Sequence, residues 1–115
     1  MRQVLRSKIH RAKVTEANVD YIGSITIDED LLDAVGLWVG EKVLVASVDT
    51  GVRLETYTLR GERSSGIICV NGAAARLINE GEVIIIIGCE ITDHPLKSKT
   101  ALVDSNNRIE KIVES

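Results

Sequence analysis

The sequence predicts a mainly β fold in one domain, and three observations carry the prediction. β-Branched residues dominate the apolar positions, as they do in strands. The 9 glycines divide the chain into short stretches, which is typical of closely spaced turns. A length of 115 residues suits a single domain with one modest core. Many short strands with two small helices indicate a closed barrel rather than an open sheet.

Eight segments are predicted as strands from their β-branched content and from the turn residues between them. One of them is unbroken apolar over residues 83–87, so we expect a central strand that is buried on both faces. Turns are predicted at residues 49–51 and 104–107. The predicted strands are 2–14, 22–27, 42–48, 53–59, 66–70, 83–88, 100–103 and 108–113.

Two short helices are predicted to interrupt the strands. Asp28 is a good N-cap for the first helix, and Gly36 is placed to end it. The second helix is predicted to begin at Asn71 and to end near Asn79. Because asparagine caps helices well and the residues after it are small, the first-turn amides of this helix are predicted to be open to an anion such as a carboxylate.

The composition argues against several classes of function. The formal net charge of -3, with both signs interspersed, argues against a protein that binds nucleic acid mainly through phosphate contacts. No apolar run reaches the ~18 residues that span a bilayer. Because the N-terminus also lacks the apolar region of a signal peptide, we expect a cytoplasmic protein that has no membrane partner.

The cysteines and histidines are few and scattered. Cys69 and Cys89 have neither metal-ligand spacing nor a secretory context, so we expect reduced thiols rather than a disulfide. The histidines are His10 and His94 only. Four such dispersed side chains do not predict a metal site.

The dipeptide Gly23-Ser24 occurs once, in a stretch that otherwise has the composition of a strand. One interpretation is structural, since a glycine inside a strand commonly marks a bulge or a close approach. The other is chemical. A seryl hydroxyl can attack the carbonyl carbon of the preceding residue if the backbone is bent and the oxyanion is stabilised. Glycine at that preceding position leaves no Cβ to obstruct the attack.

The product of this attack is an ester, and its elimination leaves dehydroalanine, which hydrolyses to a ketone on the new N-terminus. Such a ketone can condense with an amine and draw electrons from an adjacent carboxylate. Protein side chains alone are poor electron sinks, and a cofactor normally supplies one. The dipeptide therefore offers a route to a carbonyl cofactor that is made from the chain itself.

Five blocks of sequence around this dipeptide closely resemble, in order and spacing, the pyruvoyl-dependent L-aspartate 1-decarboxylases. The similarity covers residues 2 to about 90, and Val103-Asp104 together with Asn107 resembles the family's ending. The resemblance implies a six-stranded double-psi β-barrel, a homotetramer with active sites between subunits, and the production of β-alanine for pantothenate. The blocks are Lys8 to Thr15, Tyr21 to Asp28, Gly51 to Tyr57, Gly61 to Arg63 and Val70 to Ala75.

The resemblance also implies roles for the residues that match. The bond between Gly23 and Ser24 would break to give pieces 1–23 and 24–115, and Ser24 would become a pyruvoyl group that forms a Schiff base with L-aspartate. Tyr57 resembles the proton donor that reprotonates the carbanion after CO2 leaves, and a phenol keeps its proton at neutral pH. The implied substrate-binding residues are Lys8, Arg53, Thr56, Asn71, Gly72, Ala73 and Ala74.

Thr56 and Tyr57 are neighbours, so they face opposite sides of an ideal strand. Both can serve one site if the strand twists or if the site lies between subunits, and the resemblance favours the second arrangement. Thr56 is then expected to hydrogen-bond the cleavage intermediate and later the substrate. Arg53 and Lys8 are candidates for holding the substrate carboxylate, Arg53 through its planar fork. His10 is expected to be structural or to orient other groups.

Two alternatives stay open from the sequence. Residues 25–43 also look like half of the barrel of swapped-hairpin transcription factors of the antitoxin type, for which salt-dependent DNA binding would be diagnostic. The chain could instead be an uncleaved relative that kept the barrel and lost the chemistry. It departs from many family members at Asp20, at Ser64 and in residues 90–98, and the sequence does not say whether cleavage is unaided or needs a helper protein.

Overall fold

Nine strands, one α-helix and one 3₁₀ helix make up the chain in a computed structural model, which describes residues 1–115. Slightly more than half of the residues lie in strands, so the predicted mainly β fold is confirmed. The strands are β1 (Arg2–Lys13), β2 (Glu16–Asn18), β3 (Ser24–Asp28), β4 (Lys42–Ser47), β5 (Arg53–Gly61), β6 (Ile68–Asn71), β7 (Val83–Thr92), β8 (Lys99–Val103) and β9 (Ile109–Glu114).

The strands pair in the order β2-β6-β3-β5-β4-β7-β1-β8-β9. Three neighbouring pairs are parallel, namely β2 with β6, β3 with β5, and β1 with β8, and the others are antiparallel. The hydrogen-bonded ladders leave β2 and β9 at the two ends, so they do not form a closed ring. The short strand β2 was absent from the prediction because Glu16–Asn18 carries no apolar alternation.

The prediction for the first helix is confirmed, and that for the second is wrong in type. α1 spans Glu29–Val35, with the Asp28 side chain accepting a hydrogen bond from the Asp30 amide at 2.8 Å and Gly36 ending the helix at φ 75°. The second element is a 3₁₀ helix over Gly72–Arg76. The Asn71 side chain does not cap it, because that side chain is engaged elsewhere.

β7 is central, as predicted, since it lies between β4 and β1. The expectation that it is buried on both faces is wrong for the single chain. Ile84 and Ile86 are fully buried, whereas Val83, Ile85 and Ile87 on the other face are only partly covered. The strand also continues past Gly88, which is no turn: a Cβ there would lie 2.6 Å from the Leu37 side chain, so glycine allows close packing.

A bulge in β1 keeps its apolar residues on the core side. The pairing of β1 with β7 shifts between Ile9 and Ala12, and Arg11 within the shift has φ 62°. Because the bulge adds a residue, Ile9 and Ala12 both face inward although they are three positions apart, and both are fully buried. They join a core of 18 residues that receives large aliphatic side chains from β3, β4, β6, β7 and α1.

Asn107 ties the C-terminal hairpin to the rest of the fold. Its side-chain oxygen accepts from the Lys13 amide, and its Nδ2 donates to the carbonyl oxygens of Lys13 and Gly66, each at 2.8 Å. The residue is 1% exposed and has φ 60°, a conformation that asparagine tolerates better than most residues. The turn predicted at 104–107 therefore also links β1 to the segment before β6.

Replacing Asn107 with alanine should lower the free energy of unfolding by about 2–4 kcal/mol, because the substitution leaves buried backbone groups without partners. Chemical denaturation of both proteins measures the difference. Asn106→Ala is the matched control, since Asn106 is exposed in the same turn and its side chain makes no hydrogen bond. Equal losses for the two variants would contradict the assigned role.

Candidate active site

Ser24 is the first residue of β3, and its position is fixed by the strands on either side. β3 pairs antiparallel with β6, with Ser24 opposite Asn71 and Ile25 opposite Val70. It also pairs parallel with β5, with Ile25 opposite Thr58. Because side chains alternate along a strand, Ile25 enters the core while Ser24 faces the opposite side.

The backbone at Ser24 is strained. Its φ is 146°, in the region that favours glycine, and the residue is only 1% exposed. A non-glycine residue in such a conformation costs of order 1–3 kcal/mol and persists only where the surroundings enforce it. At Gly23, by contrast, a Cβ would meet no atom within 4 Å, so the space on the side-chain side of the residue before Ser24 is open. Strain of this kind clusters at functional sites.

Gly72 packs directly against the strained dipeptide. It has φ 68°, and a Cβ built on it would lie 2.7 Å from the Gly23 Cα and 3.2 Å from the Tyr21 carbonyl oxygen. No side chain can occupy that space without moving Gly23. The backbone of the 3₁₀ helix therefore holds the Gly23-Ser24 bond in place.

Asn71 is the one side chain that hydrogen-bonds Ser24. Its Nδ2 donates to Ser24 Oγ at 3.2 Å and to Thr26 Oγ1 at 3.1 Å. Its Oδ1 accepts from the Cys69 thiol at 3.0 Å. Asn71 was predicted as a helix cap, and that role is wrong because both ends of its carboxamide are used here.

The Cys69 thiol is 5% exposed, and it also lies 3.3 Å from a carboxylate oxygen of Glu16. Burial raises the pKa of Cys69 to about 11, and the neighbouring Glu16 contributes in the same direction. The thiol therefore stays protonated at neutral pH and acts as a hydrogen-bond donor. Neither cysteine forms a disulfide, as expected.

A cleft of about 260 Å³ opens beside Ser24. Larger depressions of about 480 Å³ and 580 Å³ exist on the surface, but no residue of the predicted site lines them. The structure brings six predicted residues together at the cleft, namely Gly23, Ser24, Thr56, Asn71, Ala73 and Ala74. The cleft is completed by Leu54, Glu55 and Leu77, which sequence reasoning missed.

Four predicted residues do not line this cleft within one chain. Gly72 lies behind the dipeptide, as described above. Tyr57 and Arg53 are exposed positions of β5 that alternate with Leu54 and Thr56, so the expected opposition of Thr56 and Tyr57 is confirmed. Lys8 is on β1, which pairs with β7 and β8, four places from β3 in the strand order.

His10 also lies on β1, outside the cleft. Its Nδ1 is buried and has no hydrogen-bond partner. Burial lowers the pKa of His10, and the positive charges of Lys8 and Arg11 lower it further. The imidazole is therefore neutral over most of the physiological range.

The cleft has no cationic side chain, since Glu55 is its only charged lining residue. A single chain therefore presents a held hydroxyl and free donors but nothing that would neutralise a dicarboxylate. No group of three or more His, Cys, Asp or Glu side chains is arranged to bind a metal ion. None of the helices has the length and apolar character needed to cross a membrane.

Comparison with known proteins assigns this arrangement to a family. The family model for aspartate decarboxylase matches residues 1–110. The chain belongs to the aspartate decarboxylase family. The matched residues include nearly all of the chain, among them the strands β3, β5 and β6 and the 3₁₀ helix that line the cleft. The similarity to antitoxin-type transcription factors, by contrast, concerned residues 25–43 alone.

Curated relatives agree with this assignment. Aspartate 1-decarboxylase from Bacillus velezensis is 53% identical over 116 aligned residues, which cover 97% of this chain and 91% of that protein. The proteins of the same name from Geobacillus sp. and Neisseria meningitidis are each 49% identical, with the same coverage of 97% and 91%. The chain thus matches members of the aspartate decarboxylase family over nearly their full length.

Hydrogen bonds explain how a serine is accommodated at position 64. Ser64 has φ 63°, a conformation that glycine adopts without strain but that costs energy for serine. Here the serine hydroxyl donates to Asp30 at 2.6 Å and its amide donates to Asp28 at 3.0 Å. These contacts offset the strain, so the loop between β5 and β6 remains attached to the start of α1.

The Cys69 thiol should resist alkylation well above neutral pH. In a Cys89→Ser background, the rate of modification by iodoacetamide should stay low through pH 9.0, the ordinary value, and rise only toward about 11. The raised pKa lowers the thiolate fraction at each pH between these values, and the thiolate is the reactive form. Mass spectrometry measures the rate, and the urea-unfolded chain should titrate normally. A folded-state midpoint at or below 9.0 would contradict the assignment.

Proposed function

We propose that this chain is an L-aspartate 1-decarboxylase that cleaves itself between Gly23 and Ser24, giving residues 1–23 and 24–115. The mature enzyme would carry a pyruvoyl group at position 24 and convert L-aspartate to β-alanine and CO2, for pantothenate biosynthesis. One observation carries the proposal. In a chain that matches the family throughout, the matching serine is buried, strained at φ 146° and hydrogen-bonded by Asn71.

The atoms that react in the cleavage come from the chain and one water molecule. Ser24 Oγ attacks the carbonyl carbon of Gly23, the amide C–N bond breaks, and the acyl group moves to oxygen as an ester. Loss of the Ser24 α-proton then breaks the ester C–O bond, which frees the Gly23 carboxylate and leaves dehydroalanine. Water hydrolyses the tautomeric imine, releases ammonia and leaves the ketone. Relief of the strained φ at Ser24 favours the first step.

The side chains around Ser24 suit this reaction. Asn71 Nδ2 donates to Ser24 Oγ at 3.2 Å, so it both orients the hydroxyl and stabilises negative charge that develops on it. The Thr56 hydroxyl lines the same cleft and makes no hydrogen bond within the chain. It is therefore free to donate to the oxyanion of the cleavage intermediate and later to substrate. Ala73 and Ala74 leave the wall of the cleft open for the substrate.

The residues present fit a pyruvoyl group at position 24, because an open cleft of about 260 Å³ lies beside that residue. The ketone would bind the substrate amine as a Schiff base and take up the electron pair when CO2 leaves. Tyr57 would return a proton to the resulting carbanion from its phenol. Asn71 and Thr56 would keep the substrate oriented during both steps.

A second copy of the chain would complete the substrate site. L-Aspartate carries two carboxylates, whereas Glu55 is the only charged residue of the single-chain cleft. Arg53 and Tyr57 project from the outer face of β5, and Lys8 lies on another part of the sheet, so a neighbouring subunit could bring such groups to the cleft. Partly covered apolar side chains on β7 support the homotetramer of the family.

The curvature of the sheet supports the family's double-psi β-barrel. β3 and β8 are five places apart in the strand order, which is about 24 Å in a flat sheet. Yet α1, which has only 7 residues, contacts both strands. The sheet must therefore curl around α1. A cytoplasmic location fits an enzyme of biosynthesis. Whether maturation needs a helper protein is decided by comparing cleavage of the chain alone with its cleavage in a cell extract.

Replacing Ser24 with alanine should abolish cleavage and decarboxylation together, since the variant has no hydroxyl to attack and cannot form the ketone. Denaturing electrophoresis and mass spectrometry of purified protein follow cleavage, and CO2 release from L-aspartate follows activity. The unmodified chain should give a fragment that ends at Gly23. The other fragment should be lighter by one ammonia than simple hydrolysis would leave it.

Ser105→Ala is the control, because Ser105 is exposed in the turn before β9 and makes no side-chain hydrogen bond. Decarboxylation by the Ser24→Ala variant at the normal rate would overturn the proposal. The proposal would also be overturned if the unmodified chain released no CO2 and stayed intact after prolonged warming, both alone and in a cell extract of its own source. Cleavage only in the extract would identify the need for a helper.

Replacing Gly72 with alanine should slow cleavage by at least about tenfold. The new Cβ would lie 2.7 Å from the Gly23 Cα, which is too close, so Gly23 would have to move. Gly81→Ala is a matched control. Gly81 also has positive φ, 89°, so both variants carry similar backbone strain, but a Cβ at Gly81 meets no atom within 4 Å. Time courses of cleavage compare the Gly72→Ala and Gly81→Ala variants, provided that thermal unfolding shows equal stability for the two. Equal rates would show that packing against Gly23 is irrelevant.

A further inference from the structure

We propose that Cys69 is a positioning residue for self-cleavage, because its thiol donates to Asn71 Oδ1 and thereby points the Asn71 amide group at Ser24. The inference rests on the proposed function. It concerns a residue that neither touches the Gly23-Ser24 bond nor lines the cleft.

The register of three strands places the interacting side chains on one face. Across β3 and β6, Thr26 is opposite Cys69 and Ser24 is opposite Asn71. Across β2 and β6, Glu16 is opposite Cys69. Paired residues of neighbouring strands project to the same side, so the thiol, the carboxamide and the two hydroxyls form one continuous row.

A carboxamide has two orientations that differ by exchange of oxygen and nitrogen, and its partners decide between them. Ser24 and Thr26 do not decide, because a hydroxyl either donates or accepts. In the reversed orientation Asn71 Oδ1 would face Ser24, and the amide could no longer stabilise charge on Ser24 Oγ. The remaining partner is Cys69, at 3.0 Å.

The thiol favours one orientation because sulfur is a weak acceptor while the amide oxygen is a strong one. The protonated thiol therefore makes a stronger hydrogen bond with Asn71 by donating to Oδ1 than by accepting from Nδ2, and burial keeps the thiol protonated. Glu16 competes for the same proton from 3.3 Å, but it is exposed and water can satisfy it.

Water has little access to the residues that decide the orientation of the Asn71 carboxamide. Cys69 is 5% exposed, Asn71 is 3% exposed and Ser24 is 1% exposed. A buried polar group that loses its partner is not rescued by solvent. Loss of the thiol donor would therefore leave the carboxamide free to reverse, with Asn71 directed at Ser24 for only part of the time.

The test compares cleavage rates of Cys69→Ser, Cys69→Ala and Cys69→Val. Serine keeps a donor, so its rate should stay within about threefold of the unmodified chain. Alanine and valine remove the donor, so both rates should fall about five- to tenfold, the size expected for one net hydrogen bond. Valine has nearly the volume of cysteine, which separates loss of the donor from loss of packing. Cys89→Ala, on β7 and outside the row, should cleave normally.

Normal cleavage by the alanine and valine variants would overturn this inference alone, provided that the unmodified chain cleaves and Ser24→Ala does not. A serine variant as slow as alanine would also overturn it, since packing would then be the role of Cys69. Thermal unfolding checks that the variants compared are folded. If valine does not fold, serine and alanine decide by themselves. Failure of the unmodified chain to cleave would instead be a failure of the proposed function.

Discussion

The pairing of β3 with β6 on one side and β5 on the other is the constraint on which the site depends. On the core face, Ile25 and Ile27 are fully buried and cannot shift without opening the core. A slip of one residue would exchange the two faces of β3. The hydrophobic core thereby fixes which face Ser24 occupies, and the hydrogen bonds to Asn71 refine a position that packing has already chosen.

The two ends of β3 are secured in different ways, and together they sustain the strain at Ser24. At the far end, Asp28 is 2% exposed and accepts hydrogen bonds from the amides of Asp30, Ser64 and Gly66. At the near end, Gly72 holds Gly23 by close backbone packing. With both ends held, a φ of 146° cannot relax by sliding the strand, and the proposed cleavage of the Gly23-Ser24 bond would release the strain.

Local patterns predicted the mainly β class and most of the elements, whereas the predicted closed barrel is not confirmed and contacts between distant residues were beyond such patterns. The cap at Asp28 and the end of α1 at Gly36 follow from short-range chemistry and were predicted. The error at Asn71 has the same origin, because asparagine is a good cap but its true partners are on β3. Cys69 was treated as a dispersed thiol, although two-residue spacing from Asn71 on a strand was a signal that they share a face.

The proposed division of the site between chains is consistent with the same geometry. Within the chain, Asn71 is the side chain that hydrogen-bonds Ser24 Oγ. The cations and the phenol that a dicarboxylate substrate requires do not line the cleft of that chain. In the proposed enzyme, cleavage is therefore a property of the folded subunit, whereas turnover is a property of the assembly. A substitution on the outer face of β5, at Arg53 or Tyr57, would then abolish turnover but not cleavage. It would leave the contacts of Ser24 intact while removing groups that only the assembled site uses.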